Sequence, residues 1–465
     1  MLNAKFLEEM KAILGDEFAP FLNSFNNPPA RGVIINPSVN ADIVKSELNA
    51  RGLDVYPLPW SNFNFKIEGE ARLGATWLHH AGVIYLQEPS SSMPPFCFDE
   101  LAGKRVLDLC ASPGGKTIDL ALRIGDDGIL VSNEIIPSRA GVLFSNVERM
   151  GLGNVIVTNN SPAELGKVFK DCFDAILVDA PCSGEGMFRK DALTQNEWTP
   201  QSPSMCAQRQ IEILKAIIPA LKVGGELVYS TCTLNKKENE EVVEKLINEF
   251  NFKIKKINKN INLNSKDGLG EGDLKLCRRA YPHLGFGEGQ FMAYLQKTQN
   301  EPENDEKMVK NCQKHIKSCE NVQLPSKQEQ KIIDAFFDTN LTKRPEGEII
   351  KIKNNYFLTR NFDVNNFNLN GINFIALGVN LGEIIKDRFE PHHQFFKAFG
   401  GLFKLQIELN ETDVKKYFGG EELGTEMPNK GFVNLTHCGC NLGGGKLVSG
   451  RVKNYYPKGL RMKLN

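Results

Sequence analysis

Residues 105–117 read RVLDLCASPGGKT, an apolar strand-like run followed by a turn with two glycines and the start of a helical pattern. Five further apolar runs follow, separated by stretches with helical periodicity: GILVSNE (128–134), NVIVTN (154–159), FDAILVDA (173–180), GELVYSTC (225–232) and FMAYLQK (291–297). Strands that alternate with amphipathic helices indicate a largely parallel sheet covered by helices on both faces. We therefore predict a doubly wound α/β domain over residues 96–298.

Length and composition bound the class of protein. The chain has 465 residues, enough for roughly three folding units of about 150 residues each. Hydrophobic residues make up 41% and charged residues 24%, which is typical of a soluble globular protein and argues against a disordered or fibrous one. The 56 Lys and Arg balance the 56 Asp and Glu, so a basic surface for nucleic acid would have to be regional.

Targeting and metal signals are weak in this sequence. Apolar runs of about 18 residues are missing, and MLNAKFLEEMKAILGDEF (1–18) favours an amphipathic helix over a secretory signal. We therefore expect a cytoplasmic monomer that does not associate with a membrane. The eleven cysteines, scattered without CxxC pairs, favour reduced thiols over disulfides or zinc. We predict no metal site, and we expect His392 and His393 to pack or face solvent.

The segments that flank the α/β domain have other patterns. Residues 1–95 combine strand-like runs such as RGVIINP and GVIYLQE with helical ones, which predicts a small α+β domain. Residues 299–345 are polar and mixed in charge, which indicates a linker or a surface helix. Residues 346–465 return to short strand-like runs and form a further predicted domain.

The end of the chain is basic and contains two neighbouring aromatic residues, Tyr455 and Tyr456. Its six basic residues, with no acid among them, are Lys446, Arg451, Lys453, Lys458, Arg461 and Lys463. This composition is typical of phosphate contacts combined with base stacking. A solvated basic tail has the same composition, so both interpretations stay open.

The turn after the first strand predicts a small-molecule site, because ligands bind at the carboxyl ends of the strands in such sheets. A Walker A loop is disfavoured, since Cys110 stands where its first glycine is required, and GxGxxG is absent. Glu134 ends the second strand near the spacing of an acid that binds a ribose. A ribose site without a phosphate loop favours an adenosine cofactor such as S-adenosylmethionine. Alternatively, Glu134 is a charge at a helix N-terminus.

Two cysteines follow neighbouring strands of the predicted sheet. Cys182 comes three residues after Asp179, which ends the apolar run FDAILVDA, and Cys232 ends GELVYSTC. Adjacent strands lie about 4.8 Å apart, so the two thiols should converge beside the cofactor. Carbon 5 of cytosine is a poor nucleophile until a thiolate adds to carbon 6, which is chemistry that two thiols at one edge could perform. The alternative is a pair of inert strand-end thiols.

A thiolate at neutral pH requires nearby positive charge or hydrogen-bond donors. Lys116, Arg189 and Lys190 are the cationic candidates that the sequence offers. Phe188 and Trp198 could hold a displaced base, although either could equally be a core residue.

Ordered motifs then identify a family. They are QEPSSSM (87–93), CASPGGKT (110–117), NE (133–134), DAPCSGEGMFRKD (179–191) and YSTCT (229–233). Over about residues 85–297 the chain resembles the Nol/Nop/Sun family of RNA cytosine-5 methyltransferases. The resemblance implies a Rossmann-like methyltransferase core that uses S-adenosylmethionine.

The resemblance also implies the site residues. Those that would bind the cofactor, apart from Glu134 and Asp179, are Cys110, Ala111, Ser112, Pro113, Gly114, Gly115 and Lys116. Cys232 would be the nucleophile and Cys182 would assist product release, while Asp179 would also contact the target base. The family usually has an Asp after the third strand, where this chain reads TNNSPAEL, so the adenine-side contact would come from Asn160 or from elsewhere.

Outside the core, the chain is similar to the bacterial ribosomal RNA small-subunit methyltransferase F group, whose C-terminal part is a PUA-like RNA-binding domain. This implies cytidine methylation in small-subunit ribosomal RNA, with RNA binding by residues 1–95 and 346–465. Removing residues 346–465 should then weaken RNA binding and leave cofactor binding intact.

Other functions remain open from the sequence. One is methylation of transfer RNA, and another is a non-catalytic RNA-binding protein for ribosome assembly. A DNA cytosine-5 methyltransferase would use the Cys of Pro181-Cys182 as the nucleophile and carry an ENV triplet. ENV occurs at 320–322, far along the polar segment, and we interpret it as a coincidence.

Overall fold

The structure, a computed structural model, describes residues 2–299, 322–362 and 369–462. The N-terminal part has four helices, α1 (Ala4–Leu14), α2 (Phe18–Ser24), α3 (Ala41–Ala50) and α4 (Trp77–His80). Its strands are β1 (Arg31–Ile35), β2 (Asp54–Pro57), β3 (Asn64–Glu68) and β4 (Ile84–Leu86), which form an antiparallel sheet in the order β2-β3-β1-β4. The Asn3 side chain accepts a hydrogen bond from Lys5 N and caps α1, as expected for an amphipathic helix at the start of the chain.

The central part contains the predicted α/β sheet. Its strands are β5 (Arg105–Asp108), β6 (Ile129–Asn133), β7 (Val155–Thr158), β8 (Phe173–Asp179), β9 (Leu221–Thr231), β10 (Phe252–Ile254), β11 (Lys266–Asp267), β12 (Arg278–Ala280) and β13 (Gln290–Lys297). Its helices are α5 (Gly115–Ile124), α6 (Pro137–Arg149), α7 (Pro162–Val168), α8 (Ala192–Glu197), α9 (Ser202–Ile217), α10 (Glu240–Glu249) and α11 (Lys259–Leu263).

Strands β5 to β9 are parallel in the order β9-β8-β5-β6-β7, and β13 runs antiparallel beside β9. The α/β fold with a Rossmann-like core is therefore confirmed. The strands are buried on both faces because helices cover both, which explains why the sequence reads as continuous apolar runs.

The C-terminal part begins with β14 (Val322–Gln323). The elements that follow are α12 (Lys327–Asn340), β15 (Glu348–Ile352), β16 (Asn355–Thr359), β17 (Phe374–Leu377), β18 (Val379–Ile385), β19 (Arg388–Pro391), α13 (His393–Phe399), β20 (Leu405–Glu408), α14 (Glu411–Gly419), β21 (Leu423–Gly424), β22 (Gly431–His437), β23 (Cys440–Val448) and β24 (Arg451–Asn454). They form two five-stranded sheets, β14-β15-β16-β18-β19 and β20-β22-β23-β24-β21.

One strand of this part leaves it for the central sheet. Strand β17 pairs antiparallel with β7 and forms an edge of the sheet that begins at residue 105. In addition, β14 and α12 lie in the segment 299–345, so the described part of that predicted linker is folded. The four-domain division stays a prediction, but its boundaries do not separate independent sheets. Removing residues 346–465 would take strand β17 from the central sheet. The expectation that this truncation leaves cofactor binding intact stays a prediction.

The basic C-terminal segment is packed rather than open to bases. Tyr456 is buried, and the Tyr455 hydroxyl donates a hydrogen bond to Glu390 Oε2 at 2.7 Å. Lys446 Nζ lies 3.5 Å from Glu390 Oε1. Base stacking by Tyr456 is therefore contradicted, because its ring is buried, whereas Tyr455 is half-buried and packs against Phe396 and Phe432. Arg451, Lys453 and Lys458 are exposed, whereas Lys463 lies outside the described residues.

Candidate active site

The loop at residues 109–114 connects β5 to α5 at the carboxyl edge of the sheet. Gly114 caps α5 with φ 118°, a conformation that residues with a Cβ rarely adopt. Ser112 and Arg139 exchange hydrogen bonds of 3.0 and 3.1 Å between side chain and backbone, which fixes the loop against the start of α6. Burial, together with the charges of Asp108, Asp179 and Glu134, raises the pKa of the Cys110 thiol. Three carboxylates thus surround this loop.

Asp108 and Glu134 end the two strands beside the loop. Asp108 Oδ2 accepts a hydrogen bond from Thr117 Oγ1 at 2.7 Å, while its buried Oδ1 has no partner among the described residues. Burial raises the Asp108 pKa to about 7. Glu134 is buried, and its Oε1 accepts from Ile136 N at 3.0 Å. This edge of the sheet therefore carries two buried carboxylates, one of which has an unsatisfied acceptor.

Asp179 is held by three donors. Its Oδ1 accepts hydrogen bonds from Ser230 Oγ at 2.7 Å and from Gln290 Nε2 at 3.2 Å, and its Oδ2 lies 2.8 Å from Lys116 Nζ. Burial lowers the pKa of Lys116, but the charge and hydrogen bond of Asp179 outweigh burial, so the pKa is raised overall. Lys116 therefore stays protonated inside the cleft.

The two thiols meet at the same edge. Strands β8 and β9 are parallel neighbours with Asp179 facing Ser230, and the Sγ atoms of Cys182 and Cys232 lie 3.2 Å apart. This exceeds the about 2.05 Å of a disulfide bond, and both residues are free cysteines. The hydrogen bond to Cys232, followed by burial, raises the pKa of Cys182 well above its usual value. Cys232 also contributes to the raised pKa of Lys116, after burial and Asp179, so Lys116 lies within electrostatic reach of this sulfur.

Comparisons with known proteins cover nearly the whole chain. Residues 97–296 match the family described as 16S rRNA methyltransferase RsmB/F, residues 2–89 the N-terminal domain of 16S rRNA methyltransferase RsmF, and residues 404–462 the methyltransferase RsmF PUA domain. The chain is 30% identical to a ribosomal RNA small subunit methyltransferase F from Shewanella loihica, with 99% of this chain and 95% of that protein covered. A protein of the same name from Vibrio campbellii is 32% identical, over 98% of this chain and 96% of its own length.

The chain belongs to the 16S rRNA methyltransferase RsmB/F family.

Solved structures agree with this membership. A methyltransferase homolog protein from Pyrococcus horikoshii is 27% identical, with a TM-score of 0.54. The match covers 64% of this chain and 100% of that protein. NSun6 from Pyrococcus horikoshii, solved with SFG, shares the fold at 20% identity and a TM-score of 0.57, over 64% of this chain and 99% of that one.

In this RsmB/F family member, Asn160 does not present its amide to the cofactor cleft. Its Nδ2 donates to Gly371 O at 2.9 Å and to Glu164 Oε2 at 3.2 Å, and its Oδ1 accepts from Asn373 N at 3.0 Å. Both amide hydrogens are thus used by protein groups. The side chain ties the end of β7 to the segment before β17. Its contact with the adenine stays a prediction, and the amide nitrogen has no hydrogen left for it in this structure.

Of the three cations that the sequence offers for the thiols, Arg189 and Lys190 do not lie beside them. Arg189 forms a buried two-bond ion pair with Glu288, at 2.7 Å for each bond, and donates to Ser24 O. Arg189 therefore holds the Cys182 loop against the N-terminal helices and does not face the sulfurs. Lys190 is exposed, which leaves Lys116 as the predicted cation that the structure brings to the thiols.

Phe188 and Trp198 are core residues in this RsmB/F family member. Both are 5% exposed and pack with Phe6 of α1, whose ring centroid lies 4.9 Å from that of Phe188. The Trp198 Nε1 donates to Glu185 Oε1 at 3.1 Å. A role in holding a displaced base is contradicted, because their ring faces are already covered.

Two residues near the thiols were missed by the sequence reasoning. Glu238 accepts hydrogen bonds from Ser183, Gln210 and Asn235, and Gln290 donates to Asp179. Glu238 could have been found as a carboxylate six residues after Cys232, in the loop that follows β9 at the carboxyl edge of the sheet. For Gln290 the signal was a polar residue directly before the apolar run of β13.

Residues 2–299, 322–362 and 369–462 contain no group of three or more His, Cys, Asp or Glu that could hold a metal ion. The same residues contain no helix that is long and apolar enough to cross a membrane.

Proposed function

We propose that this chain transfers a methyl group from S-adenosylmethionine to carbon 5 of a cytidine in small-subunit (16S) ribosomal RNA, through a covalent bond between Cys232 and the base. The observation that carries the proposal is the 3.2 Å approach of Cys182 and Cys232 beside the Lys116–Asp179 ion pair. An RNA-binding protein without turnover would need neither thiol.

The chemistry of the target explains the nucleophile. Thiolate addition to carbon 6 of cytosine makes carbon 5 enamine-like and able to attack an electrophile. S-adenosylmethionine would supply that electrophilic methyl group. Afterwards the proton on carbon 5 passes to solvent, the electron pair of that C–H bond re-forms the 5,6 double bond, and the bond between Cys232 Sγ and carbon 6 breaks with its electron pair returning to sulfur. The enzyme regains its thiolate at the end.

The surroundings of the two sulfurs support the division of roles. Lys116 lies within electrostatic reach of Cys232 and is the nearby positive charge that favours a thiolate there. The hydrogen bond to Cys232, followed by burial, raises the pKa of Cys182, which disfavours Cys182 as the attacking thiolate. Its sulfur lies 3.2 Å from that of Cys232, so Cys182 is placed to assist release of Cys232.

The cleft also suits the cofactor. Residues 110–116, Glu134 and Asp179 would hold S-adenosylmethionine, whose cationic sulfonium and ammonium groups match a cleft with several carboxylates. The buried Oδ1 of Asp108, which has no partner among the described residues, fits a site that a donor group completes. We leave the adenine-side contact without an assigned side chain, because the amide of Asn160 is engaged elsewhere.

The RNA substrate is proposed from the similar proteins. The relatives from Shewanella and Vibrio are named ribosomal RNA small subunit methyltransferases, and residues 404–462 match a PUA domain. The exposed Arg451, Lys453 and Lys458 near the end of that domain would contact phosphates. Methylation of transfer RNA by the same chemistry is the alternative, and the test below distinguishes it by comparing the two RNA substrates.

The test uses the full chain with S-adenosylmethionine and unmethylated small-subunit ribosomal RNA, both free and in the assembled subunit. We expect 5-methylcytidine in the product, no methylation or adduct with Cys232→Ala, and a protein–RNA complex that survives denaturing electrophoresis with Cys182→Ala. An adduct that persists in Cys232→Ala and is lost in Cys182→Ala would reverse the roles. Methylation of transfer RNA alone would overturn the ribosomal substrate.

A further inference from the structure

The amide of Gln290 is incompletely satisfied inside the candidate active site. The residue is 1% exposed, and its Nε2 donates a hydrogen bond to Asp179 Oδ1 at 3.2 Å. Its Oε1 is buried and has no hydrogen-bond partner among the described residues. Buried acceptors without a donor cost free energy and are rare in folded proteins, so this one requires an explanation.

Gln290 lies beside both thiol-bearing segments. Strand β13 runs antiparallel to β9 with Phe291 facing Thr231, so the next residues, Gln290 and Cys232, are neighbours across the strands. Gly186, in the loop after Cys182, packs against the backbone of Cys232 and Gly289. A Cβ atom added to Gly186 would lie 2.8 Å from Cys232 O and 2.8 Å from Gly289 Cα. The backbone before Gln290 is therefore packed directly against the loop that carries Cys182.

The orientation of the amide is set by Asp179. A carboxylate oxygen accepts hydrogen bonds and cannot donate one when ionised, so the Gln290 nitrogen must face Asp179 and its oxygen must face away. Asp179 is also bound by Ser230 and by Lys116, which hold it in place. The free acceptor of Gln290 is thus fixed by the same residues that line the proposed base site.

The complementary group is found on the proposed target. Cytosine carries an amino group on carbon 4, next to the carbon that accepts the methyl group, whereas uracil carries a carbonyl oxygen there. An acceptor beside carbon 4 gains a hydrogen bond from cytosine and meets a second acceptor in uracil. Sites built to bind an N–H group discriminate strongly against bases that lack it.

We propose that Gln290 Oε1 accepts a hydrogen bond from the 4-amino group of the target cytidine and thereby selects cytidine over uridine. This specificity role rests on the proposed function. Gln290 forms no bond to the reacting carbons, so its loss should affect recognition of carbon 4 and leave the sulfur chemistry in place.

The experiment uses the full chain and RNA oligonucleotides that carry the methylation site, mapped first on ribosomal RNA with the wild-type protein. Three versions have cytidine, uridine or the riboside of pyrimidin-2-one, which has only hydrogen at carbon 4, at the target position. We expect Gln290→Met to lower kcat/KM for the cytidine RNA by at least about tenfold. For the pyrimidin-2-one RNA we expect kcat/KM to stay within about twofold, because that base never offers the hydrogen bond.

Gln296→Met is the matched control, since Gln296 is on the same strand and donates to Gly224 O away from the thiols. We expect it to leave all three rates unchanged, and we expect Gln290→Met to unfold at the same temperature as the wild type. An equal loss on cytidine and pyrimidin-2-one RNA would overturn the proposal and make Gln290 a support for Asp179. If the wild type forms no 5-methylcytidine in any RNA, the proposed function fails first and the specificity role falls with it.

Discussion

At the scale of single residues, one buried carboxylate organises the segments that carry the two cysteines. Glu238 is fully buried and accepts hydrogen bonds from the backbone and hydroxyl of Ser183, from Gln210 Nε2 at 2.8 Å and from Asn235 Nδ2 at 2.8 Å. It thereby joins the loop after β8 to the loop after β9. Its charge also helps to raise the pKa of Cys182, after the hydrogen bond to Cys232 and burial.

Replacing Glu238 by Gln should loosen Cys182 without removing it. The amide presents hydrogens to groups that are themselves donors, so we expect the free energy of unfolding to fall by about 1–3 kcal/mol. Because Cys182 is then misplaced, adduct with substrate RNA should accumulate while methyl transfer slows. Urea unfolding and denaturing electrophoresis measure the two effects. Glu241→Gln, at an exposed position nearby, is the control and should change neither.

At the scale of elements, the edge of the central sheet is completed from far along the chain. Strand β17 pairs with β7, and Asn373 O accepts a hydrogen bond from Asn159 N while Asn373 N donates to Asn160 Oδ1. Both partners lie just after β7, at the same sheet edge as Glu134. The C-terminal part of the chain thus supports, through backbone pairing, the sheet edge at which we propose that the cofactor binds.

The Asn160→Ala variant separates a structural tie from a cofactor contact. The variant loses the bonds to Gly371 and Asn373, so we expect a loss of about 1–3 kcal/mol in the free energy of unfolding. Affinity for S-adenosylmethionine, measured by calorimetry at a temperature where the variant is folded, should fall by less than about threefold. A large loss of affinity with unchanged stability would return Asn160 to the cofactor site.

At the scale of the whole molecule, the N-terminal and C-terminal parts share a core. Trp77 of α4 packs edge-on against His437 with ring centroids 4.9 Å apart, and His80 Nδ1 lies 3.2 Å from the Tyr456 hydroxyl. Lys397 of α13 donates to Ala81 O at 2.6 Å and also bonds Asn441 O. The two outer parts therefore share one packed core.

This junction predicts acid sensitivity. Burial lowers the pKa of His79 to about 3 and of His392 to about 4, and it also lowers the pKa values of His80 and His393. The unfolded chain therefore takes up protons first, so stability is present above the ordinary pKa of 6.5 and is lost as the pH falls toward 4. Glu148, whose pKa burial raises to about 7, acts in the opposite direction and offsets part of this loss.

Between pH 7 and pH 5 the histidines should lower Tm, while Asp108, Asp119, Glu148 and Glu185, whose pKa values burial raises to about 7, should act in the opposite direction. We therefore expect His79→Gln to raise Tm at pH 5 relative to its Tm at pH 7, compared with the wild type. Differential scanning calorimetry at matched ionic strength measures this difference. His283, which lies 2.9 Å from Glu17 outside the junction, is the control position. An identical pH dependence of Tm in His79→Gln and in the wild type would contradict the assignment of the histidines to the pH response.

Replacing exposed basic residues tests the role of the C-terminal surface in RNA binding without removing a strand of the central sheet. The triple variant Arg451→Gln, Lys453→Gln and Lys458→Gln changes exposed side chains only, so the fold should persist. We expect weaker RNA binding and a slope of log affinity against log salt that is smaller by about 2 to 3, with cofactor affinity unchanged. Lys245, Lys253 and Lys256, exposed on the central part, provide a control triple; an equal effect there would remove the special role of the C-terminal surface.

The sequence by itself determined the central sheet, because helix-covered parallel strands must be apolar along their whole length and therefore stand out as runs such as FDAILVDA. It also determined which residues end those strands, and hence that Glu134, Asp179, Cys182 and Cys232 share one edge. Only the tertiary structure decided the rest. The partners of Asn160, Arg189 and Trp198 come from segments distant in the chain, and local pattern carries no information on such pairing. For the same reason the sequence could not show that β17 joins β7, nor that Gln290 turns its amide toward Asp179.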